Sequence, residues 1–389
     1  MKKALVFDGR SRAALSIVRS LGRQGVYVIV AEAFKCSSFY SKYTREKIII
    51  PSPDKNPKDF KIFILDYLRN HKIDLIVPVR DDITEIVINN QEQLSRYTSF
   101  LLPGQNAFNI TRDKSETIKL SRELGIPHPK TIITKEEGHN LELVKGKFDL
   151  PILIKPRISS GSRGIVKINN WDDYHEAYDK IHLEFPCPMI QEFIPHGGAY
   201  GVSMLYKKGR SKASFTHKRI REYPPSGGPS TLREGVHYIE IENYSKILLD
   251  ALKWNGVAMV EYRINKNTGK PQLMEINPRF WGSLQTAVFS GIDFPYLLFQ
   301  LATEGDCVDS FHYQVGMQVR WLFWGDILWF INNKKSWESI KTFFQFSKKD
   351  LSYDIFSWED IGPSIGVSIE AFNSFIKTEK LKHVFKRGW

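Results

Sequence analysis

The chain has 389 residues, a net charge of +12 and three cysteines, Cys36, Cys187 and Cys307, too far apart for metal-ligand spacing. This length exceeds one ordinary core and predicts two or three domains; no apolar run reaches the length of a bilayer span, and the short apolar start broken by "FDGR" does not read as a signal peptide. The cationic excess suits polyanions, but it is scattered and no helix-turn-helix, zinc-finger or RNP-like pattern appears, so neither nucleic acid nor membrane is the expected partner, and reduced thiols in the cytoplasm are the expected setting.

Along residues 1–110 strand and helix patterns alternate. "ALVFD" reads as a buried strand, "RSRAALSIVRSLGRQG" as a helix closed by Gly25, and "VYVIVAE" and "KIIIP" as further strands. "FKIFILDYLRNH" has helical spacing, "DLIVPV" is a strand and "ITEIVINNQEQL" a helix. Such alternation predicts an α/β domain with a doubly wound parallel sheet. The first strand runs into "DGRSRAA" rather than G-x-G-x-x-G, so an open-sheet crevice is expected in place of a dinucleotide site. Arg10 and Arg80 follow two of these strands and are candidates for substrate contact, while Asp8 and Asp81 are expected to cap the next helices.

Residues 111–305 have a different texture. "DKSETIKLSRELGIPHPKT" is a helix ending at Gly125 before two prolines. The remainder reads as α+β with antiparallel strands: a first subdomain over 111–190 holding "DLPILIKPRISSGSRGIVKI", and a second over 191–305 holding "YGVSMLY" and the hairpin "GVAMVEYRI" to "PQLMEINP". Within the second, residues 217–235 set Lys218, Arg219, Arg221 and Arg233 around a Pro/Gly-rich centre and are expected to project as a loop. Planar guanidiniums suit carboxylates and phosphates, which makes Arg219, Arg221 and Arg233 substrate candidates. Residues 306–389 form a C-terminal α/β extension, rich in aromatics and expected to pack on the core, with "VRWLFWGDILWF" as a helix apolar nearly all round.

The chemistry concentrates in four stretches. In "LMEINPRFWG" alternate side chains of an extended strand share a face, so Glu275 and Asn277 point one way and Met274 and Ile276 the other. With the connecting turn near Thr268, antiparallel pairing sets Glu261 opposite Glu275. Facing carboxylates repel unless compensated. Mg²⁺ supplies that compensation, taking one or two carboxylates together with phosphate oxygens and water, and Asn277 adds a neutral oxygen. Lys155 ends an apolar strand, where an ammonium needs an anion, and the small-residue loop with Ser160, Gly161 and Ser162 lets backbone amides approach phosphate. Lys114 opens a helix, an unfavourable place for a cation unless a bound anion offsets the macrodipole. "MIQEFI" offers Gln191 and Glu192 at a strand end beside Met189, Phe193 and Ile194.

In this order "RDKSETIKLSRELGIP", "LPILIKPRISSGSRGI", "MIQEFIPHGG" and above all "VEYRI…LMEINPRFWGS" resemble the ATP-grasp superfamily over about residues 1–305. The resemblance implies a Mg-ATP-dependent ligase that activates a carboxylate as an acyl phosphate for attack by an amine or thiol. It implies ATP and Mg²⁺ (or Mn²⁺) as cofactors, small-molecule carboxylate and amine substrates, and a homodimer as in many members. Glu261, Glu275 and Asn277 would hold the metal, Lys114 and Lys155 the phosphates, Gln191, Glu192, Phe193 and Ile194 the adenine, and Arg279 the transferred phosphoryl group. One position departs from the pattern: "GGAYG" places Ala199 where many members carry an acidic ribose ligand. Two other readings are a nucleotide-binding protein without turnover and a basic protein bound to nucleic acid or membrane; the intact E-x-N-P-R argues against the first.

Overall fold

The computed structural model describes residues 1–375 except 160, 162, 225, 226, 334 and 335, with side chains as far as residue 370. Three sheets organise it. The first is parallel, in the order β3-β2-β1-β4, with β1 at Lys3–Phe7, β2 at Tyr27–Glu32, β3 at Thr44–Ile49 and β4 at Leu75–Val77. Both faces of β1 are covered: Ala4 and Val6 join one apolar cluster, Leu5 and Phe7 another. This is why the strand reads as a continuous hydrophobic run.

The expected capping roles of Asp8 and Asp81 are corrected. Ser11 caps the helix Arg12–Arg23, its hydroxyl accepting from the amide of Ala13 at 3.1 Å. Asp8 instead accepts from the amides of Val79 (3.2 Å) and Arg80 (2.8 Å), bracing the end of β4. Arg80 occupies the cap position of the helix Asp81–Asn89, so Asp81 is its first residue and its carboxylate is free to reach elsewhere.

The second sheet is antiparallel, order β5-β8-β6-β7, with β5 at Thr131–Ile132, β6 at Ile152–Lys155, β7 at Val166–Ile168 and β8 at Met189–Glu192. The third holds seven strands in the order β13-β12-β9-β10-β11-β14-β15. These are β9 (His196–Lys207), β10 (Arg210–Glu222), β11 (Ser230–Gly235), β12 (Gly256–Asn265), β13 (Pro271–Asn277), β14 (Gln318–Arg320) and β15 (Leu351–Tyr353). One face of this sheet packs Leu205, Phe215 and Met259 against the first domain; the other packs Val202, Val260, Tyr262 and Ile276 with Leu248 and Trp254.

Two expectations fail in this sheet. Residues 217–235 do not project as a loop: both ends are strands, β10 and β11, paired with each other from His217–Gly235 to Glu222–Ser230. "VRWLFWGDILWF" is not one helix either. It is β14, then a kink with Trp324 at φ 63°, then the helix Ile327–Asn332. The C-terminal extension thus supplies two strands to the large sheet, β14 paired with β11 and β15 parallel to β14.

Candidate active site

The site begins as a register. Across the large sheet Glu275 lies opposite Glu261, Glu261 opposite Gly201, and Gly201 opposite His217, so all four share one row and one face. The next row on that face runs Arg263, Ala199, Arg219. A bulge in β13 pairs Leu273 with Tyr262 and leaves Met274 as the extra residue, so Leu273 and Ile276, not Met274, anchor the opposite apolar face. The glycine at 201 keeps the row open: a Cβ there would lie 2.5 Å from His217 Cε1.

Cations from three directions meet the two carboxylates. Lys114, first residue of the helix Lys114–Glu123, places Nζ 3.2 Å from Glu275 and donates to the carbonyl of Ser159 at 2.6 Å. Arg219 from β10 pairs with Glu261 and, at 3.3 Å, with Glu222. Asn277 turns its amide nitrogen toward both, 3.2 Å from Glu261 and 3.5 Å from Glu275. Its Oδ1 accepts from Arg279 Nη2 at 3.3 Å, and Arg279 Nε donates to Asp81 at 2.9 Å.

Burial sets the titration. Removal from water pushes Glu261 up, Arg219 pulls it back and the charge on Glu275 adds to the rise, which leaves Glu261 above the ordinary range. Burial also opposes charge on Glu275, but Lys114, Arg219 and Arg279 outweigh it and hold that carboxyl below the ordinary range. The pair therefore shares its charge unequally, with Glu275 the firm anion. Lys155, donating to Gln191 Oε1 at 2.6 Å, is pulled down to about 8 by burial and by the nearby charges of Arg263 and Lys114. Five cationic side chains in one cleft, Lys114, Lys155, Arg219, Arg263 and Arg279, one of them easily deprotonated, form a receptor for a polyanion.

The adenine-side candidates lie along β8 and just beyond it. Gln191 is buried between Lys155 and Thr131, Glu192 accepts from the amide of Lys130 at 2.6 Å, Ile194 is buried, and Phe193 carries Lys167 over its ring at 4.1 Å. Gly161 sits at φ 62° with open space around it, a conformation that suits a loop approached by phosphate. Ser160 and Ser162 lie outside the described residues.

Of the arginine candidates, the structure brings only Arg219 to the carboxylates. Arg233 is fully buried, bonded to Thr286 Oγ1 at 2.8 Å and to Asp354 at 2.7 Å, and makes no opening toward a substrate. Arg221 donates to Asp326 at 2.7 Å beneath Trp329. The cause is a bulge: Arg219 pairs with Arg233, but Arg221 pairs with Leu232, and this register slip sends Arg221 to the opposite face of the sheet. Both are withdrawn as substrate contacts. Arg80 is half-buried and engaged by Asp82, Asp54 and Asp8.

Three groups escaped the sequence reading. Arg263 had a signal, its two-residue spacing from Glu261 on the same strand. His217 is buried with Nε2 3.2 Å from Ser283 Oγ, and is held neutral by burial and by Arg219 and Arg233. Asp81 read as a cap, and its contact with Arg279 spans 198 residues of chain.

The cleft fits a divalent cation. Among the described residues no cluster of three or more His, Cys, Asp or Glu side chains gathers; the donor set is two facing carboxylates and one carboxamide. That set suits Mg²⁺, which leaves its other positions to phosphate oxygens and water. Among the described residues no helix is long and apolar enough to cross a membrane.

Known proteins share parts of this sequence and its fold. Residues 184–323 match the family model described as "ATP-grasp in the biosynthetic pathway with Ter operon". The chain is similar to a carbamoyl-phosphate synthase of Methanobrevibacter smithii, 25% identical over 236 residues that cover 60% of this chain and 58% of the relative. It is also similar to a D-alanine–D-alanine ligase of Prosthecochloris aestuarii, 28% identical over 228 residues, 52% of this chain and 62% of that one. It thus spans less than two thirds of the length of either relative. In fold it resembles biotin carboxylase from Campylobacter jejuni, with a TM-score of 0.68 and 16% identity over 82% of this chain and 74% of the other. The E-x-N-P-R strand and the facing carboxylates lie within the residues that match the ATP-grasp family model, and it is this family that the chain resembles in sequence and in fold.

Proposed function

We propose that the protein is a Mg-ATP-dependent ligase that joins a small-molecule carboxylate to an amine, or to a thiol, through an acyl phosphate. The observation that carries this reading is the facing pair Glu261–Glu275, completed by Asn277 and ringed by Lys114, Arg219 and Arg279. Such a ring matches the charge of a triphosphate and a metal ion.

When bound, Mg²⁺ held by Glu261, Glu275 and Asn277 would neutralise phosphate charge and act as a Lewis acid on the transferred phosphoryl group. Lys114 and Lys155 grip phosphate oxygens, and Lys155 takes up its proton fully once an anion faces it. The substrate carboxylate oxygen attacks the γ-phosphorus, the bond to the β-phosphate oxygen breaks, and ADP leaves. Arg279, oriented by Asp81, and Arg219 stabilise charge on the equatorial oxygens and on the acyl phosphate. The nucleophile then bonds to the acyl carbon, phosphate departs, and the proton of the amine or thiol is lost to solvent or phosphate. No side-chain nucleophile takes part. Gln191 to Ile194 form the adenine wall, and with Ala199 the ribose is left to other groups.

The test is ADP release, with hydroxylamine trapping of acyl phosphate, across a panel of carboxylic acids and amines, with Glu275→Gln as the blank. Carboxylate-dependent hydroxamate in the wild type alone supports the reading. ADP release without hydroxamate from any acid, or none at all, would overturn it.

A further inference from the structure

On the face of the large sheet opposite the carboxylate pair there is a second polar cavity, of about 360 Å³. Its floor is strand: Arg221 from β10, Leu232 from β11, Arg320 and Gln318 from β14. Its far wall is the segment with Ser339 and Thr342, from the helix Trp337–Phe343. The register explains why two arginines meet here. Arg221 and Arg320 both pair with Leu232, one on either side, so both project from the same face.

Among the described residues, the two buried guanidiniums of this floor share a single buried carboxylate. Asp326 is the one carboxylate shared by both guanidiniums, its Oδ2 accepting from Arg221 Nη1 at 2.7 Å and from Arg320 Nε at 2.5 Å. Its Oδ1 accepts from Thr231 at 3.0 Å and is used as well. Arg320 is 1% exposed, yet both of its terminal nitrogens, Nη1 and Nη2, lack a hydrogen-bond partner. Phe343 and Phe346 stand 4.7 and 5.1 Å from its central carbon and temper the charge, but aromatic rings give no lone pair to the N–H edge. The Tyr353 hydroxyl donates to the carbonyl of Phe346 at 2.6 Å and turns its oxygen toward Arg320, a neutral contact that does not offset the charge. A buried guanidinium that shares its carboxylate with a second arginine beside a cavity is undercompensated, and its planar fork suits a carboxylate or phosphate in two bonds once the covering rings give way.

We propose that this cavity is a second ligand site, which takes a small oxyanion, a carboxylate or a phosphate, on Arg320 with Arg221 beside it. It is separate from the ATP cleft and stands whether or not the ligase reading does. A volume of this size accommodates a small organic anion and not a nucleotide triphosphate with its metal. Gln318, whose amide nitrogen is given to Glu234 at 3.0 Å, also lines the cavity, as do the exposed Glu338 and Lys348, whose opposite charges leave the buried arginines to decide the sign of the site.

The experiment titrates inorganic phosphate and, separately, succinate into full-length protein carrying Lys114→Met and Lys155→Met, which remove the two lysines placed to grip phosphate in the other cleft. One equivalent of at least one anion is expected to bind. Adding Arg320→Met removes the fork, and adding Thr342→Trp fills the mouth from an exposed helix position without touching the arginines; each is expected to weaken binding by about tenfold or more. Phosphate alone binding assigns a phosphorylated ligand, and succinate alone a carboxylate; either supports the site. Should Arg320→Met not fold, Thr342→Trp decides. Absence of binding by both anions, or binding that neither added substitution changes, overturns the proposal.

Discussion

Arg279 donates Nε to Asp81 at 2.9 Å while its Nη2 reaches Asn277 at 3.3 Å, so a single guanidinium ties the first domain to the carboxylate hairpin. Burial opposes its charge, and Asp81 with Glu275 and Glu261 more than restores it. Asp81 is then a positioning residue. Asp81→Ala should lower kcat by about tenfold to a hundredfold with little change in ATP affinity, because a misdirected arginine is a loss of orientation. Asp81→Asn, which keeps an acceptor, should recover part of it. Equal losses in kcat and ATP affinity would contradict this role.

Glu275 is the firmer anion of the facing pair. Glu275→Gln should weaken Mg-nucleotide binding by about a hundredfold or more, and chelation of divalent cations in the wild type should do the same. Equilibrium binding of a fluorescent ATP analogue with and without Mg²⁺ reads both arms. Metal-independent binding of equal strength in the wild type would remove the metal from the site.

Lys155 gives the pH dependence. Its folded value of about 8 lies below the ordinary 10.5. Between these values the unfolded chain holds a proton that the ligand-free folded chain has lost, so stability due to this group rises with pH across that window. Polyphosphate binding favours the ammonium. Above pH 8 binding must therefore take up a proton, and affinity should fall toward about tenfold per pH unit. Calorimetry in buffers of different ionisation enthalpy measures the uptake, and Lys155→Met should abolish it.

Gly201 holds the gap between Glu261 and His217. In Gly201→Ala the new methyl would fall 2.5 Å from His217 Cε1 and 3.1 Å from Met259 Sδ, both on packed strands. The cost should be about 1–3 kcal/mol in chemical denaturation, with activity reduced because Arg219 lies two residues from the displaced histidine. Unaltered stability would show that the sheet opens at that row without strain.

Arg233 separates structural from substrate roles. With Arg12 it encloses the buried Asp354 carboxylate, Arg12 approaching at 2.8 Å. Arg233→Met should cost about 3–5 kcal/mol by leaving that ion pair incomplete, while the folded fraction keeps its KM for every substrate. A raised KM at unchanged stability would return Arg233 to the substrate pocket.

The two-residue alternation of the E-x-N-P-R strand, the facing of Glu261 and Glu275, and the strand–helix alternation of the first domain are all legible in the chain of residues. These follow from local backbone geometry: side-chain direction in a strand or helix repeats with a fixed period, so neighbours in sequence reveal it. Residues 217–235 read as a loop because prolines and glycines dominate their centre, whereas β9 and β14 flank the two ends and supply the hydrogen bonds that make them strands. The separation of Arg219 from Arg221 rests on one bulge, and the meetings of Arg279 with Asp81 and of Arg233 with Asp354 join residues 198 and 121 positions apart. These emerge from the assembled fold alone, because which buried charge finds which partner depends on how distant strands align, and a slip of one residue reverses the face on which an arginine emerges.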